Sequence, residues 1–383
     1  MKVDAQAGTV TLLVDGQPQT FVVSERTKLM SAENTPLQGL SDPALKEGTP
    51  VMFKPTSREP KAVLMGLKVI GANQGRGPQE KIKPVDTSGL KSLPELGAGL
   101  YKGFQGGLYP DGKNQRPAKH EQAGLALARK VQPLDEEGRP TPEGKIVLLS
   151  AGMSNTTMEF STFKRLADAD PAKNPKLVLV DGAQGGMTAA VIQNPDDGAR
   201  GAKYWSTVDD RLKAAGVTRA QVQVAWIKEA NARPTEGFPA YARTLQEQLA
   251  QIAQLLHSRF PNLKLAYLSS RIYGGYATTP LNPEPYACES GFSVKWLIAQ
   301  QIEGDPALNC DPQRGPVRAP WLAWGPYIWA NGAAKHTDGL SYEPGDFGGD
   351  GTHPSPSGQR KVAELLLHFF KTDSTARPWF VRP

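Results

Sequence analysis

The chain has little of what would mark a membrane protein, a nucleic-acid-binding protein or a disulfide-rich protein. Only two of its 383 residues are cysteine, so at most one disulfide can form within it. No apolar run approaches the roughly 18 residues that a membrane-spanning helix needs. The net charge is +6, yet the lysines and arginines are scattered rather than clustered as in a nucleic-acid-binding patch. We therefore expect no membrane span and no nucleic-acid partner.

The two cysteines, Cys288 and Cys310, both fall in a stretch rich in Pro, Gly and Asn, which is typical of loops. If they pair, they form one disulfide that suits an oxidising compartment; otherwise both are free thiols. The first residues run directly into strand-like sequence, and no signal peptide is visible. We expect the disulfide, and we expect an exported protein, periplasmic or secreted, whose signal peptide is absent from this sequence.

Residues 1–72 show the alternation of apolar and polar residues that is typical of strands. The stretch GTVTLLVDGQPQTFVVS, from Gly8 to Ser24, predicts two strands joined by a turn at Asp15–Gly16. Several short strands in so small a space favour an all-β domain, either a small closed barrel or a sandwich, and we expect it to be barrel-like. This domain could be a packing module or a binding module for a polymer. Residues 73–98, rich in Gly, Pro and charge, are predicted to be a linker.

From residue 99 to 383, strands rich in Val, Ile and Leu alternate with helices. The predicted strands are KIVLLSAG, KLVLVDG, VQVAWI and KLAYLSS. The predicted helices lie near residues 159–167, 204–215, 241–257 and 358–371. This alternation predicts an α/β domain with a parallel sheet covered on both faces. Functional side chains of such sheets collect at the carboxyl ends of the strands, so polar residues that follow strands are the candidates for a site.

Four polar clusters stand out. Ser154 lies between a predicted strand and a predicted helix, where a serine is either an ordinary helix cap or a group favoured by the helix dipole. A Gly-rich turn at Gly186 offers backbone N–H groups to an anion. Asn231 offers an amide that can donate to an oxyanion, although loop asparagines also form turns. Asp350 and His353 are three residues apart, and a carboxylate beside an imidazole makes a base that can activate a serine.

The order Ser, Gly, Asn and Asp-x-x-His resembles the four sequence blocks of the SGNH hydrolase superfamily, the GDSL-like esterases. GMSN at residues 152–155 is similar to the G-Q-S-N block of the sialate O-acetylesterase-like and acetyl xylan esterase-like branch. DGAQGGMT at 181–188 resembles the second block, and DGTHPSPSGQRKVAELL at 350–366 resembles the last. The third block departs from the pattern: KEAN at 228–231 replaces G-x-N-D or Q-G-E, so either Asn231 or Glu229 takes that place.

The resemblance implies a flavodoxin-like three-layer α/β/α fold and metal-independent hydrolysis of carboxylic esters. Ser154 would be the nucleophile, His353 the base, and Asp350 the residue that orients His353. The oxyanion hole would be formed by the backbone N–H groups of Ser154 and Gly186 and by the side chain of Asn231. The GMSN block favours acetyl or other small acyl esters of carbohydrate. No cofactor is expected, and a metal site is a poor alternative because Asp350 and His353 lack a further cluster of ligands.

Possible substrate contacts are chosen by their position in the predicted loops and in the long insertion between residues 273 and 346. They are Asn155, Lys228, Glu229, Arg271, Tyr273, Glu289 and Trp324. Lys228 could bring positive charge to the site, or it could be a solvated surface lysine. The insertion also holds aromatic residues that could face sugar rings or pack in the core, namely Trp321, Trp324, Tyr327 and Trp329.

Two other functions fit the same residues. A non-catalytic carbohydrate-binding protein on this scaffold would explain the divergent third block and the extra β domain, but it would not need Ser154, Asp350 and His353 together. A lipase, thioesterase or polyester hydrolase would use the same three residues and bind longer acyl chains in an apolar groove. The oligomeric state cannot be read from the sequence.

Overall fold

The computed structural model describes residues 2–14, 17–31, 36–49, 51–56, 62–69, 82, 85–196, 200–334, 336 and 339–382. The chain divides into two compact units, residues 1–79 and 80–383, and each unit has its own hydrophobic core. The predicted turn at Asp15–Gly16 and residues 73–81, 83 and 84 of the predicted linker lie outside the described residues.

The first unit contains two three-stranded sheets that share one core. The first sheet has the order β1-β2-β3 and the second the order β4-β6-β5. Their strands are β1 (Lys2–Asp4), β2 (Thr9–Val14), β3 (Gln17–Val22), β4 (Lys28–Met30), β5 (Val51–Pro55) and β6 (Leu64–Val69). The predicted pairing of β2 with β3 is confirmed, since the two strands are antiparallel with Val14 opposite Gln17. The predicted barrel is not confirmed, because the described strands form two three-stranded sheets that one parallel bridge, between Val22 and Val63, connects.

The second unit opens with short elements before strands and helices alternate. The opening elements are α1 (Leu93–Leu96), the hairpin of β7 (Leu100–Tyr101) and β8 (Phe104–Gln105), and α2 (Ala118–Ala128). The alternating elements are β9 (Ile146–Gly152), α3 (Ser154–Ala169), β10 (Leu177–Asp181), α4 (Ala189–Ile192), α5 (Arg200–Ala214), β11 (Val222–Lys228), α6 (Ala240–Arg259) and β12 (Leu265–Leu268). The last elements are α7 (Tyr286–Glu303), β13 (Trp321–Trp324), α8 (Pro356–Thr372) and α9 (Arg377–Phe380).

Strands β9 to β13 form one five-stranded parallel sheet in the order β10-β9-β11-β12-β13. This is the strand order of flavodoxin-like folds, so the predicted parallel sheet with flanking helices is confirmed. Helix α3 packs against α8, while α6 packs against α4 and α7. Strand order reverses between β9 and β11, and ligands of such sheets bind beside this point at the carboxyl ends of the strands.

The insertion at residues 273–346 contains two buried elements that the sequence did not predict, α7 and β13. Trp321 is 0% exposed and Trp324 is 2% exposed. Their indole N–H groups donate to the backbone oxygens of His120 and Leu108 at 3.0 Å and 2.8 Å. Tyr327 and Trp329 are also buried. The idea that these aromatic rings face sugar is therefore wrong, because they pack in the core. None of the helices in the described ranges is both long and apolar enough to cross a membrane.

The predicted disulfide between Cys288 and Cys310 is not formed, and both thiols are free. Cys288 lies near the start of α7, where its Sγ is 3.8 Å from the backbone oxygen of Lys91. Near the other end of α7, the side chain of Gln301 donates to the backbone oxygen of Leu308, two residues before Cys310. At about 1.5 Å per residue, positions 288 and 301 are about 20 Å apart along the helix. A disulfide requires Cα atoms within about 7 Å.

Candidate active site

Ser154 is the first residue of α3 and is delivered by a tight turn at the end of β9. The strand is buried along its whole length and ends at Gly152. A Cβ at Gly152 would lie 2.4 Å from the backbone oxygen of Lys228 and from Thr156 Oγ1, so this turn requires glycine. The Ser154 N–H has no acceptor within the helix and lies at the positive end of the helix dipole. It is therefore available to stabilise negative charge that forms next to Ser154 Oγ.

Ser154, His353 and Asp350 form a continuous chain of hydrogen bonds. Ser154 Oγ lies 2.8 Å from His353 Nε2, and His353 Nδ1 lies 2.5 Å from Asp350 Oδ2. The His353 and Asp350 side chains are 30% and 32% exposed, so solvent reaches the chain. When Nδ1–H donates to Asp350, the lone pair of Nε2 faces the Ser154 hydroxyl. The arrangement prepares the hydroxyl for deprotonation by the imidazole.

The carboxylate of Asp350 is held ionised by its own loop. Its Oδ1 accepts the backbone N–H groups of Thr352 and His353, both at 3.0 Å. Partial burial acts to raise the pKa of Asp350, but the hydrogen bonds from His353 and Thr352 outweigh it and hold the pKa well below its usual range. A charged Asp350 can orient the imidazole and stabilise the imidazolium that forms when His353 takes a proton.

The loop that carries Asp350 and His353 is fixed by backbone contacts. Thr278 N–H donates to the backbone oxygen of Asp350 at 3.0 Å, and Gly348 N–H donates to that of His353 at 2.8 Å. Gly351 has a φ of 63°, and a Cβ there would lie 1.8 Å from the backbone oxygen of Tyr276. Only glycine fits this position. The shape of the loop therefore explains Gly351, while hydrogen bonding explains Asp350 and His353 on either side of it.

The Gly-rich loop after β10 forms a tight turn. Met187 N–H donates to the backbone oxygen of Gln184 at 3.3 Å, which closes a β-turn over residues 184–187. Gly186 has a φ of 74° and occupies the third position of this turn, where a type II turn requires positive φ. Gln184 N–H also donates to the backbone oxygen of Gly152 at 2.9 Å, which ties the turn to the end of β9.

Within this turn, Gly185 is the glycine next to Ser154. A Cβ built on Gly185 would lie 4.0 Å from Ser154 Cβ, whereas one built on Gly186 would lie 3.8 Å from Arg200 Nη2. Arg200 Nη2 also donates to the backbone oxygen of Gly186. Gly186 shapes the turn and its oxyanion role stays a prediction, while the Cβ position of Gly185 is the one that lies next to Ser154.

Asn231, the predicted third oxyanion donor, is tied to helices rather than directed at Ser154. Its Nδ2 donates to Gln248 Oε1 on α6 at 2.5 Å, and its Oδ1 accepts the backbone N–H of Ala190 on α4 at 3.1 Å. In the described part of the chain no hydrogen bond joins Asn231 to Ser154. The oxyanion role of Asn231 stays a prediction, and this tethering does not favour it.

The side chains predicted to contact substrate are buried instead. The exposed fractions are 0% for Lys228 and Glu289, 1% for Asn155, 2% for Glu229, Arg271 and Trp324, and 6% for Tyr273. This burial does not favour direct substrate contact for these seven residues, and their role stays a prediction. These residues were expected to be exposed because they lie in or near predicted loops, and loops normally run over the surface. Here the insertion makes buried contacts with those loops, as where Asn282 Nδ2 donates to the backbone oxygen of Asn231 at 3.1 Å.

Lys228 forms a buried ion pair with Glu159, and both side chains are 0% exposed. Lys228 Nζ lies 2.5 Å from Glu159 Oε1, so the pair joins β11 to α3, the helix that begins with Ser154. Burial lowers the pKa of Lys228 to about 8, although pairing with Glu159 opposes this shift. Lys228 is thus neither a solvated surface lysine nor a charge offered to substrate. Removing one partner of such a pair typically costs about 3–5 kcal/mol.

Glu289 and Tyr273 also hold the fold together. Glu289 Oε1 accepts hydrogen bonds from Tyr101 Oη at 2.8 Å and Lys102 Nζ at 2.9 Å, which connect α7 to the β7–β8 hairpin. Tyr273 Oη lies 3.0 Å from Thr87 Oγ1. Within the second unit, these bonds hold the opening segment around α1 against Tyr273 and α7.

Asp181 is a site residue that the sequence argument did not single out. Its carboxylate accepts hydrogen bonds from Ser150 Oγ at 2.6 Å and Ser161 Oγ at 3.1 Å, and another from Thr157 Oγ1. Asp181 therefore ties the first turns of α3 to the ends of β9 and β10. Its position could have identified it from the sequence, since Asp181 is a charged residue that ends an apolar strand just before the Gly-rich turn.

Replacing Asp350 with Asn is expected to lower kcat for an activated ester by about 10³–10⁴-fold, because an amide cannot stabilise the imidazolium. The stability change is also expected to depend on pH. The pKa of Asp350 is lower in the folded state than in the unfolded state. The ionised carboxylate therefore makes its full contribution to the free energy of unfolding above about pH 4, and that contribution decreases as the pH falls further. Thermal unfolding of wild type and Asp350→Asn at neutral pH and at about pH 3 would measure this.

Asp170→Asn is the matched control for that experiment. The pKa of Asp170 is also lowered, chiefly by its hydrogen bond from Lys371, but this pair lies beyond the C-terminal end of α3. The control should show the same direction of pH dependence in stability and leave kcat unchanged. A kcat for Asp350→Asn equal to that of the control would contradict the orienting role.

No protein-family model matches the chain, and no curated protein matches its sequence. Similar solved structures include a lipase from a goat rumen metagenome, which is 13% identical with a TM-score of 0.33 over 58% of this chain and 97% of that one. A carbohydrate esterase is 12% identical with a TM-score of 0.34 over 61% of this chain and 68% of that one. A GDSL-like lipase from Bacteroides thetaiotaomicron is 12% identical with a TM-score of 0.30 over 66% of this chain and 96% of that one. All three are lipases or esterases, the class that the four sequence blocks resemble, but similarity this weak assigns no activity to the chain.

Proposed function

We propose that the chain is a serine ester hydrolase of the SGNH type. The observation that carries the proposal is the Ser154–His353–Asp350 chain, with its distances of 2.8 Å and 2.5 Å, at the carboxyl end of β9. His353 Nε2 takes the proton of Ser154 as Oγ attacks the ester carbonyl carbon, and then gives it to the leaving alcohol. Water, deprotonated by His353 in turn, attacks the acyl-serine, releases the carboxylic acid and restores Ser154.

The proposed oxyanion hole is built from backbone N–H groups. Ser154 supplies one at the start of α3, and the turn at 185–186 supplies the second, with Gly185 the nearer glycine to Ser154. Both groups belong to backbone that is fixed before substrate arrives, which is the requirement for strong stabilisation of the developing charge. Asn231 is not required in this scheme, because its amide already joins α4 to α6.

As substrates we propose acetyl or similarly small acyl esters of carbohydrate. The support is the GMSN block at residues 152–155, which resembles the acetylesterase branch more than the lipase form. The tryptophans of the insertion are buried and give this no support. Sugar contacts would therefore come from exposed backbone next to the nucleophile, such as Gly185 and Gly186.

Wild type is expected to show a higher kcat/KM for 4-nitrophenyl acetate than for the octanoate ester, by about tenfold or more. An enzyme built for long acyl chains gains about 0.8 kcal/mol for each methylene that it buries, so its kcat/KM would rise from acetate through butyrate to octanoate. Initial rates on the three esters measure this. A preference for octanoate would replace the acetylesterase proposal with the lipase, thioesterase or polyester hydrolase alternative.

A non-catalytic carbohydrate-binding protein is the second candidate. The observation that favours it is the third block, where Asn231 is tethered to helices and Glu229 is buried. Folded wild type that hydrolyses none of the three esters, yet binds a polysaccharide, would establish this alternative.

Export to the periplasm or the medium also remains a proposal. One of the features that suggested it, the disulfide between Cys288 and Cys310, is not formed. Detection of the native chain in cell fractions would decide its compartment.

A further inference from the structure

The residue next to the nucleophile is bonded to the residue next to the base. Asn155 follows Ser154, Thr352 precedes His353, and Asn155 Nδ2 donates to the backbone oxygen of Thr352 at 3.0 Å. Asn155 is 1% exposed and Thr352 is 2% exposed. A buried hydrogen bond therefore joins the two segments that carry the reacting atoms, beside the bond between Ser154 and His353 itself.

The other hydrogen bonds of these two segments join them to other parts of the chain. Thr156 Oγ1 in the first turn of α3 donates to the backbone oxygen of Lys228 at 2.6 Å, which ties that turn to β11. The loop at 350–353 is held by Thr278 and Gly348. Across the described residues, only the Ser154–His353 and Asn155–Thr352 bonds connect residues 154–157 with residues 350–353. Asn155 is thus the local link that does not itself take part in proton transfer.

We propose that Asn155 is a positioning residue whose amide sets the separation of Ser154 Oγ and His353 Nε2. The effect on turnover rests on the proposed function, whereas the effect on the separation does not. A displacement of about 1 Å at a catalytic group can lower a rate by about 10²-fold. Asn155→Asp places a carboxylate oxygen opposite the carbonyl oxygen of Thr352, so the two segments should be pushed apart.

The chain offers a matched control in Asn174. Its Nδ2 donates to the backbone oxygen of Trp379 at 3.1 Å, and the residue is 9% exposed. Like Asn155, it is a buried asparagine that holds a backbone carbonyl distant in sequence. Asn174 precedes β10 and so lies near the amino ends of the strands. Ser154 lies at their carboxyl ends, on the opposite side of the sheet's length. If both asparagines only stabilise the fold, replacing either one should lower stability to a similar extent and leave kcat unchanged.

The test measures Tm, kcat and KM on 4-nitrophenyl acetate for wild type, Asn155→Asp and Asn174→Asp. Both variants are expected to lower Tm. Only Asn155→Asp is expected to lower kcat, by about 100-fold, with KM within about threefold of wild type. If the kcat values of the two variants agree within about threefold, the proposal is overturned. Alanine variants at both positions replace the aspartates if those fail to fold.

A second measurement keeps this inference separate from the esterase proposal. Crystal structures of Asn155→Ala and Asn174→Ala would give the distance from Ser154 Oγ to His353 Nε2 even if the wild type hydrolysed no ester. The proposal requires this distance to exceed about 3.5 Å, the limit of a hydrogen bond, in Asn155→Ala only. An unchanged distance in Asn155→Ala would overturn it.

Discussion

Ser154→Ala is expected to lower kcat for 4-nitrophenyl acetate by about 10⁴–10⁶-fold, to near the rate without enzyme. The variant keeps the fold and the oxyanion donors but has no oxygen to attack the ester carbonyl. The hydroxyl that is lost is the one 2.8 Å from His353 Nε2. Initial rates at neutral pH, on wild type and variant with matching circular dichroism spectra, would measure the effect.

Ser161→Ala is the control for this substitution. Ser161 lies on the same helix, and its Oγ donates to Asp181 Oδ2 at 3.1 Å rather than to His353. Its loss is expected to change kcat by less than about tenfold, since it removes one hydrogen bond that does not involve the reacting atoms. A Ser154→Ala variant that kept more than a tenth of the wild-type rate would rule out Ser154 as the nucleophile.

His353→Ala is expected to lower kcat by about 10⁴-fold, because Ser154 then has no base for its proton. A sharper expectation concerns the double variant. Residues that act as one unit show losses that do not add, so Ser154→Ala combined with His353→Ala should be no slower than Ser154→Ala alone. The same assay measures all three variants.

His368→Ala is the matching histidine control, since His368 is an exposed residue on α8. It should retain the wild-type kcat. If the losses of the two single variants multiplied in the double variant, Ser154 and His353 would act independently, and the shared mechanism would be wrong.

The sheet and its helices could be predicted from the sequence because their signals are local. Strands such as KIVLLSAG are apolar over most of their length, which is typical of strands covered on both faces. The stretch before α8 was predictable for a similar reason, since Asp350, Gly351 and His353 satisfy the loop and the chemistry within four consecutive residues. Both predictions needed no knowledge of distant contacts.

The elements of the insertion could not be predicted in this way. The strand β13 has four residues, too few to show a period, and its tryptophans suit a sugar-binding surface as well as a core. Their burial is decided by partners far away in the sequence, such as His120 and Leu108. A local pattern contains no information about such partners.

Lys228 illustrates the same limit for a charged residue. A lysine at the end of a strand is usually solvated, but here its partner Glu159 lies on α3, 69 residues earlier in the chain. Burying both charges together is acceptable only because they meet. The burial of the candidate substrate contacts could not be predicted for the same reason, because long-range packing sets it.

If Ser154 is an activated nucleophile, a fluorophosphonate should label it covalently, and the labelled residue can be identified directly. Folded wild type and His353→Ala would be treated with the reagent, digested and examined by mass spectrometry. We expect a phosphonylated Ser154 peptide in wild type and little or none in His353→Ala. No labelled peptide from folded wild type, or labelling at another serine with Ser154 unmodified, would contradict this expectation.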